Sequence, residues 1–305
     1  MTWLHRTRNR LPRGRRGLVA LLVVAQLAVL GTASLAAVGR WLTMPLDDDG
    51  MYALLVLGSD EGPPRGGGAR TGRADSIHLV VIDQAREHVS IISFPRDSYV
   101  PVRGMGTTKI NAMLTRGPEN AVGTITDLTG IQVDDYIVTG FSAFIAGVDE
   151  FGGVEVDVEQ RLNDPRGAST DLQPGRQMLV GWQTLAYSRD RYSRPDGDIG
   201  RSNGQAKVMR AVHQMVRDED PSPARLLDYI SILRRHTETS IPTDRLLRLA
   251  TLAMQIEPDN VAQAMLPGNI GTAGAASVYR LSDGAYAVFA DVREDGLLSS
   301  LEGGG

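Results

Sequence analysis

Three short runs dominate the first third of the chain: YALLVLG at 52–58, SIHLVVID at 76–83 and HVSIISF at 88–94. Each is nearly continuous in apolar residues and rich in Val and Ile, the pattern of strands buried on both faces. DYIVTG (135–140) predicts another strand, and GVEVDV (153–158) alternates apolar with acidic residues as a half-exposed strand does. A helix is predicted over 118–129, opening on Pro118 and closing at Gly130, and another over 142–151, capped by Ser142. Further helices are predicted at 198–217, 223–235 and 243–256. Strands interleaved with helices predict an α/β fold, a layered α-β-α domain with a central mixed sheet. Residues 62–72 (GPPRGGGARTG) and 160–177 read as long loops, which in a compact domain are often functional.

A different pattern precedes this body. Residues 17–38 carry no charge, and such a helix would extend roughly 33 Å, enough to span a bilayer core. Six arginines fall within residues 1–16 with no acid, which predicts a cytoplasmic basic tail ahead of an N-terminal transmembrane helix. A cleaved signal peptide is the alternative, although its apolar region is usually shorter. Residues 39–50 then form a linker, 51–298 a single domain with no internal repeat, and 299–305 a flexible tail. The expected location is the cell membrane, single-pass, with the domain extracytoplasmic.

Charge and composition narrow the chemistry. The 305 residues carry a net charge of −4, and without the six N-terminal arginines 26 basic residues face 36 acidic ones. An acidic body argues against nucleic acid as a partner. The absence of cysteine excludes thiol nucleophiles and Cys-ligated metals. The five histidines lack metal-ligand spacing, with His78 and His88 assigned to the sheet, and GMGTTK (104–109) fails the phosphate-loop pattern.

The candidate chemistry lies at the ends of elements. Asp60 follows the first strand, and Arg73 and Asp75 flank Ala74 before the second. The two carboxylates could hold Mg²⁺, or serve as a turn residue and a cap. Arg96 and Asp97 follow the third strand, either as presented functional groups or as a surface ion pair. Arg189 and Arg191, two apart, would point the same way on an extended chain, with Asp190 opposite. The helix over 198–217 has an apolar stripe of Val208, Val212 and Met215 that extends back to Gln205 and Arg201. Two polar groups on an inward face need partners, so they are expected to line a polar cavity. An arginine in a first helical turn also favours an anion nearby. Arg194 reads as an exposed loop residue.

Seven segments in order resemble the LytR-CpsA-Psr family of membrane-anchored bacterial cell-wall enzymes. They are LLVLGSD (54–60), GRADSI (72–77), SFPRDSYV (93–100), KINAM (109–113), GGVEVDV (152–158), LVGWQTLAYSRDR (179–191) and GDIGRSNGQ (197–205). The resemblance implies a Mg²⁺-dependent phosphotransferase that moves an anionic glycopolymer from a polyprenyl-pyrophosphate carrier to a peptidoglycan sugar hydroxyl. It implies Asp60 and Asp75 as metal ligands, and Asp60, Asp75 and Arg96 as catalytic groups. It further implies Arg73, Arg96, Arg189, Arg191, Arg201 and Gln205 as pyrophosphate ligands, with Asp198 orienting the last arginines. Either Asp60 or Asp75 could be the general base. The prenyl tail is expected in an apolar tunnel between the sheet and the helices at 118–151. Two positions depart from the family pattern: Glu61 follows Asp60, and Gly204 precedes Gln205, where arginines are usual. A pyrophosphatase and a non-catalytic lipid-binding regulator are the alternative functions.

Overall fold

The structure, a computed structural model, describes residues 44–46, 50–60 and 72–298. The expected membrane helix at 17–38, the basic tail, most of the linker, the stretch 61–71 and the tail 299–305 lie outside the described residues. Among the described residues no helix is long and apolar enough to cross a membrane.

The early apolar runs become β1 (Met51–Ser59), β2 (Ala74–Asp83) and β3 (His88–Ser93). A hairpin of β4 (Tyr99–Val102) and β5 (Gly106–Lys109) follows, then a 3-10 turn at Ile110–Arg116 and helix α1 (Pro118–Thr129). Next come β6 (Asp135–Gly140), α2 (Phe141–Phe151) and β7 (Val154–Val158). Short strands β8 (Leu162–Asp164), β9 (Thr170–Leu172) and β10 (Gly175–Leu179) lead into α3 (Gly181–Arg189) and the long α4 (Asp198–Glu219). The chain ends through α5 (Pro223–His236), β11 (Glu238–Thr239), α6 (Thr243–Ala253), β12 (Val261–Met265), the hairpin β13 (Gly268–Ala273)–β14 (Ala276–Leu281) and α7 (Asp283–Asp295).

Six strands form one mixed sheet in the order β11-β6-β1-β2-β3-β12. β1 runs parallel to β6 and antiparallel to β2. Side-chain alternation sends Leu55, Leu57, Ile77, Leu79, Ile92 and Val138 to one face, against the 3-10 turn, α1 and α7. Tyr52, Ile82 and Ile91 point to the other face, where they meet Ala206 of α4 and Leu252 of α6. Two-sided burial is why these strands read as continuous apolar runs rather than alternating ones. The α-β-α layering is as expected.

α4 serves two cores. Ala206 packs on the main sheet, while Val208 closes a smaller core around β7, β8, β9 and β10 with Tyr187.

Several expectations need correction. The stretch 160–177 is not loop alone, since it contains β8, β9 and the start of β10. Ser142 does not cap α2; Gly140 occupies the N-cap position. The predicted helix 243–256 stops at Ala253. The stretch through Arg189 is the end of α3 rather than extended chain.

Candidate active site

A cleft of about 240 Å³ opens where the C-terminal ends of the parallel strands β1 and β6 lie side by side. α/β sheets characteristically bind ligands beyond their strand ends. Val56, Gly58 and Ser76 form the floor, Thr139 and Phe141 one wall, and α3 and α4 close it over.

Four arginines converge on it. Arg96 arrives from the turn after β3, Arg189 from the last turn of α3, Arg191 from the following loop and Arg201 from the first turn of α4. Asp75 lines the same cleft because the β1–β2 ladder slips there: Gly58 pairs with Ser76 and Ser59 with Ala74, leaving Asp75 as the bulged residue. A bulge re-aims a side chain that regular pairing would direct elsewhere. Arg96 Nη1 donates to Asp75 Oδ1 at 2.8 Å.

Asp198 sits among three guanidinium groups. Arg201 Nη2 donates to its Oδ2 at 3.0 Å, Arg96 Nε lies 3.8 Å from Oδ2, and Arg191 Nη1 lies 3.7 Å from Oδ1. Arg201 is only 5% exposed. Burial pulls its pKa below the ordinary arginine value; Asp198 opposes that shift and Arg96 adds to it. Burial also acts downward on Arg96, but the Asp75 carboxylate outweighs it and the net shift is upward. Both guanidiniums keep a buried Nε–H without a hydrogen-bond partner. Arg189 packs over the Phe141 ring at 4.6 Å.

Arg96 and Asp97 do not form the surface ion pair that was one of the two alternatives for them: Asp97 binds Lys109 at 2.8 Å and Arg96 turns to Asp75. Gln205 and Arg201 do occupy the inward face expected from the α4 stripe. Asp60 and Arg73 are not among the residues lining the cleft. They close the neck of the β1–β2 connection, with Arg73 N donating to Asp60 Oδ1 at 2.7 Å and Asp60 N to Arg73 O at 3.1 Å.

Arg194 is not exposed as expected. Its guanidinium stacks over Tyr187 at 4.8 Å and donates to the carbonyls of Asp190 at 3.2 Å and Tyr187 at 3.4 Å. A Cβ at position 204 would stand 2.8 Å from Arg194 Nη2, so Gly204 leaves the space that this guanidinium fills.

Sequence reasoning missed His78, which lines the cleft, and the apolar lining from Phe141, Phe144, Leu185, Val208 and Met209. Its available signal was parity: Ser76 and His78 alternate in step on β2. The helix at 118–129, expected to border this apolar space, packs on the opposite face of the sheet. Only α2, of the two helices in 118–151, faces the cleft.

The donor set at the strand ends can be tested against Mg²⁺. Among the described residues no group of three or more His, Asp or Glu could hold a metal, so an all-protein cage is absent there. Asp75 keeps one oxygen beyond its Arg96 bond and Asp60 one beyond its Arg73 bond. Mg²⁺ commonly binds through one or two carboxylates with water and substrate phosphate completing the shell; Asp75 offers one such oxygen within the cleft, whereas Asp60 offers one at the neck, outside its lining.

The LytR_cpsA_psr family model matches residues 33–292. The chain belongs to the LytR-CpsA-Psr family. It is similar to the polyisoprenyl-teichoic acid–peptidoglycan teichoic acid transferase TagV of Bacillus subtilis, 29% identical over 169 residues, covering 53% of this chain and 42% of that protein. It also resembles the probable cell wall biosynthesis protein LcpB of Corynebacterium glutamicum, 36% identical over 148 residues, covering 48% of this chain and 35% of LcpB. The chain thus spans about half the length, or less, of these curated relatives. The crystal structure of B. subtilis TagV has the same fold: TM-score 0.71 at 22% identity, over 82% of this chain and 98% of that one.

Proposed function

We propose that this protein is a cell-wall glycopolymer transferase that moves an anionic glycopolymer from a polyprenyl-pyrophosphate carrier to a sugar hydroxyl of peptidoglycan. One observation carries the reading: the half-buried Arg96 and the buried Arg201 each keep an Nε–H without a hydrogen bond in a cleft that Arg189 and Arg191 also line together with Phe141, Phe144, Leu185, Val208 and Met209. A buried donor left unmade is costly, and a multi-oxygen anion is the ligand that relieves it. A pyrophosphate with a hydrocarbon chain has both required halves. The names of the relatives point the same way.

In this reading the acceptor hydroxyl oxygen bonds to the glycopolymer-bearing phosphorus and gives its proton to Asp75 or Asp60, while the bond from that phosphorus to the prenyl phosphate breaks and prenyl phosphate leaves. Phosphoryl transfer needs positioning and charge neutralisation more than covalent help. Arg96, Arg189, Arg191 and Arg201 hold the non-bridging oxygens, and Gln205 adds a neutral donor. Asp198 keeps three of these guanidiniums from splaying apart under mutual repulsion. Mg²⁺ held by Asp75 and Asp60 would supply further positive charge to the pyrophosphate. Arg73, at the neck beside Asp60, would meet the outer phosphate.

The segment at 17–38 belongs to the same proposal as a retained anchor, with the domain outside the cell. Resistance to alkaline extraction together with digestion by external protease is the expected behaviour.

The function is tested by supplying a prenyl-pyrophosphate-linked glycopolymer and a peptidoglycan acceptor. The coupled product is expected, with prenyl phosphate released. Release of free glycopolymer phosphate without coupling would identify a pyrophosphatase, and binding without turnover would identify a lipid-binding regulator.

A further inference from the structure

His78 lies three residues beyond Asp75 in the middle of β2, is 1% exposed, and lines the cleft. Its two ring nitrogens are both engaged. Nδ1 lies 2.9 Å from Ser93 Oγ, and Nε2 lies 3.3 Å from Gln205 Oε1. Gln205 reaches the other way too, its Nε2 donating to the backbone carbonyl of Ser188 at 3.0 Å.

These contacts determine each other. The Ser188 carbonyl can only accept, so the Gln205 amide nitrogen must face it and the amide oxygen must face His78. That oxygen can only accept, so His78 must carry its proton on Nε2. Nδ1 is then an acceptor, satisfied by the Ser93 hydroxyl, itself buried. Burial lowers the pKa of His78 to about 4, consistent with a neutral ring. One arrangement of protons satisfies the whole chain, and it leaves the second amide hydrogen of Gln205, a residue that lines the cleft, without a protein acceptor.

We propose that His78 is a positioning residue: its Nε2–H, donated to Gln205 Oε1, holds the Gln205 carboxamide in the orientation that the Ser188 carbonyl sets, so that an N–H rather than a carbonyl oxygen meets the bound anion. An amide presenting its oxygen would repel a phosphate, so the orientation matters to binding. This inference rests on the proposed pyrophosphate site. A strand histidine would be a poor choice for packing alone, since a Leu or Met would fill the position without two buried polar atoms to satisfy.

The test is a double-mutant cycle on affinity for inorganic pyrophosphate, measured by calorimetry on the full chain purified in detergent. His78→Met keeps bulk and removes the donor; it is expected to weaken binding by roughly three- to tenfold, the scale of one neutral hydrogen bond. His78→Gln, whose amide nitrogen can stand where Nε2 stood, is expected to restore most of the affinity. In a Gln205→Ala background, His78→Met is expected to have no further effect. Equal effects in both backgrounds, or no effect in either, would overturn the proposal. If His78→Met does not fold, Ser93→Ala is read in the same cycle, and its effect must likewise vanish without Gln205. A wild-type protein that binds no pyrophosphate overturns the site reading itself, whereas binding with an additive cycle overturns only the role of His78.

Discussion

Arg201 concentrates the tension in this site. A buried guanidinium in the first turn of a helix is opposed by desolvation and by the helix dipole, and the single carboxylate beside it is shared with two other arginines. Arg201→Lys is expected to weaken pyrophosphate binding about tenfold to a hundredfold, since a point charge replaces a planar fork able to contact two oxygens. Exposed Arg161 is the control, and its lysine variant should bind as wild type. Arg194 is unsuitable as a control because it ties the loop after α3 back onto the last turn of that helix. His78 gives a second residue-scale outcome. Its folded pKa of about 4 lies below the ordinary 6.5, so the unfolded chain binds the proton first as pH falls. Stability present above pH 6.5 is lost as pH falls towards 4, by up to about 3 kcal/mol from this residue. Urea unfolding across that range should show a shallower pH dependence for His78→Gln than for wild type.

At the scale of elements, the site depends on how closely α3 approaches α2. Gly181, the first residue of α3, packs so tightly on the backbone of Ile145 that a Cβ there would collide with the Ile145 carbonyl. Gly181→Ala therefore has to push the helix away, with an expected loss of about 1–3 kcal/mol in unfolding free energy. Because Arg189 ends this helix and rests on Phe141 of α2, the same variant should also bind pyrophosphate more weakly. A variant destabilised with unchanged affinity would show that the site tolerates movement of α3.

For the whole molecule, a second, apolar cavity adjoins the cleft at Met209 of α4. Met209 lines both the cleft and this cavity of about 190 Å³, which is walled by Val80, Ile82, Leu249 and Leu252. In the proposed function this is where a prenyl chain would extend. Met209→Trp is expected to weaken binding of a long-chain prenyl pyrophosphate severalfold more than binding of inorganic pyrophosphate. Comparable losses for both ligands would separate that cavity from the lipid.

Local pattern was enough for β1, β2, β3 and β6, because strands buried on both faces are written as unbroken apolar runs. It was enough too for α4 and for the inward placement of Arg201 and Gln205, because a helical stripe carries its own period. The cleft's paired charges were out of reach for the opposite reason. Asp75 meets Arg96 across 21 residues, and His78 meets Gln205 across 127. No spacing along the chain encodes such contacts; they follow from strand order, a one-residue slip in the β1–β2 ladder and the packing of α3 and α4 over the sheet. Arg189 and Arg191 were visible as a pair, but a helix end between Arg189 and Asp190 decides where each points. Sequence determined which residues were available for anion chemistry, and tertiary structure alone decided which of them share one cleft.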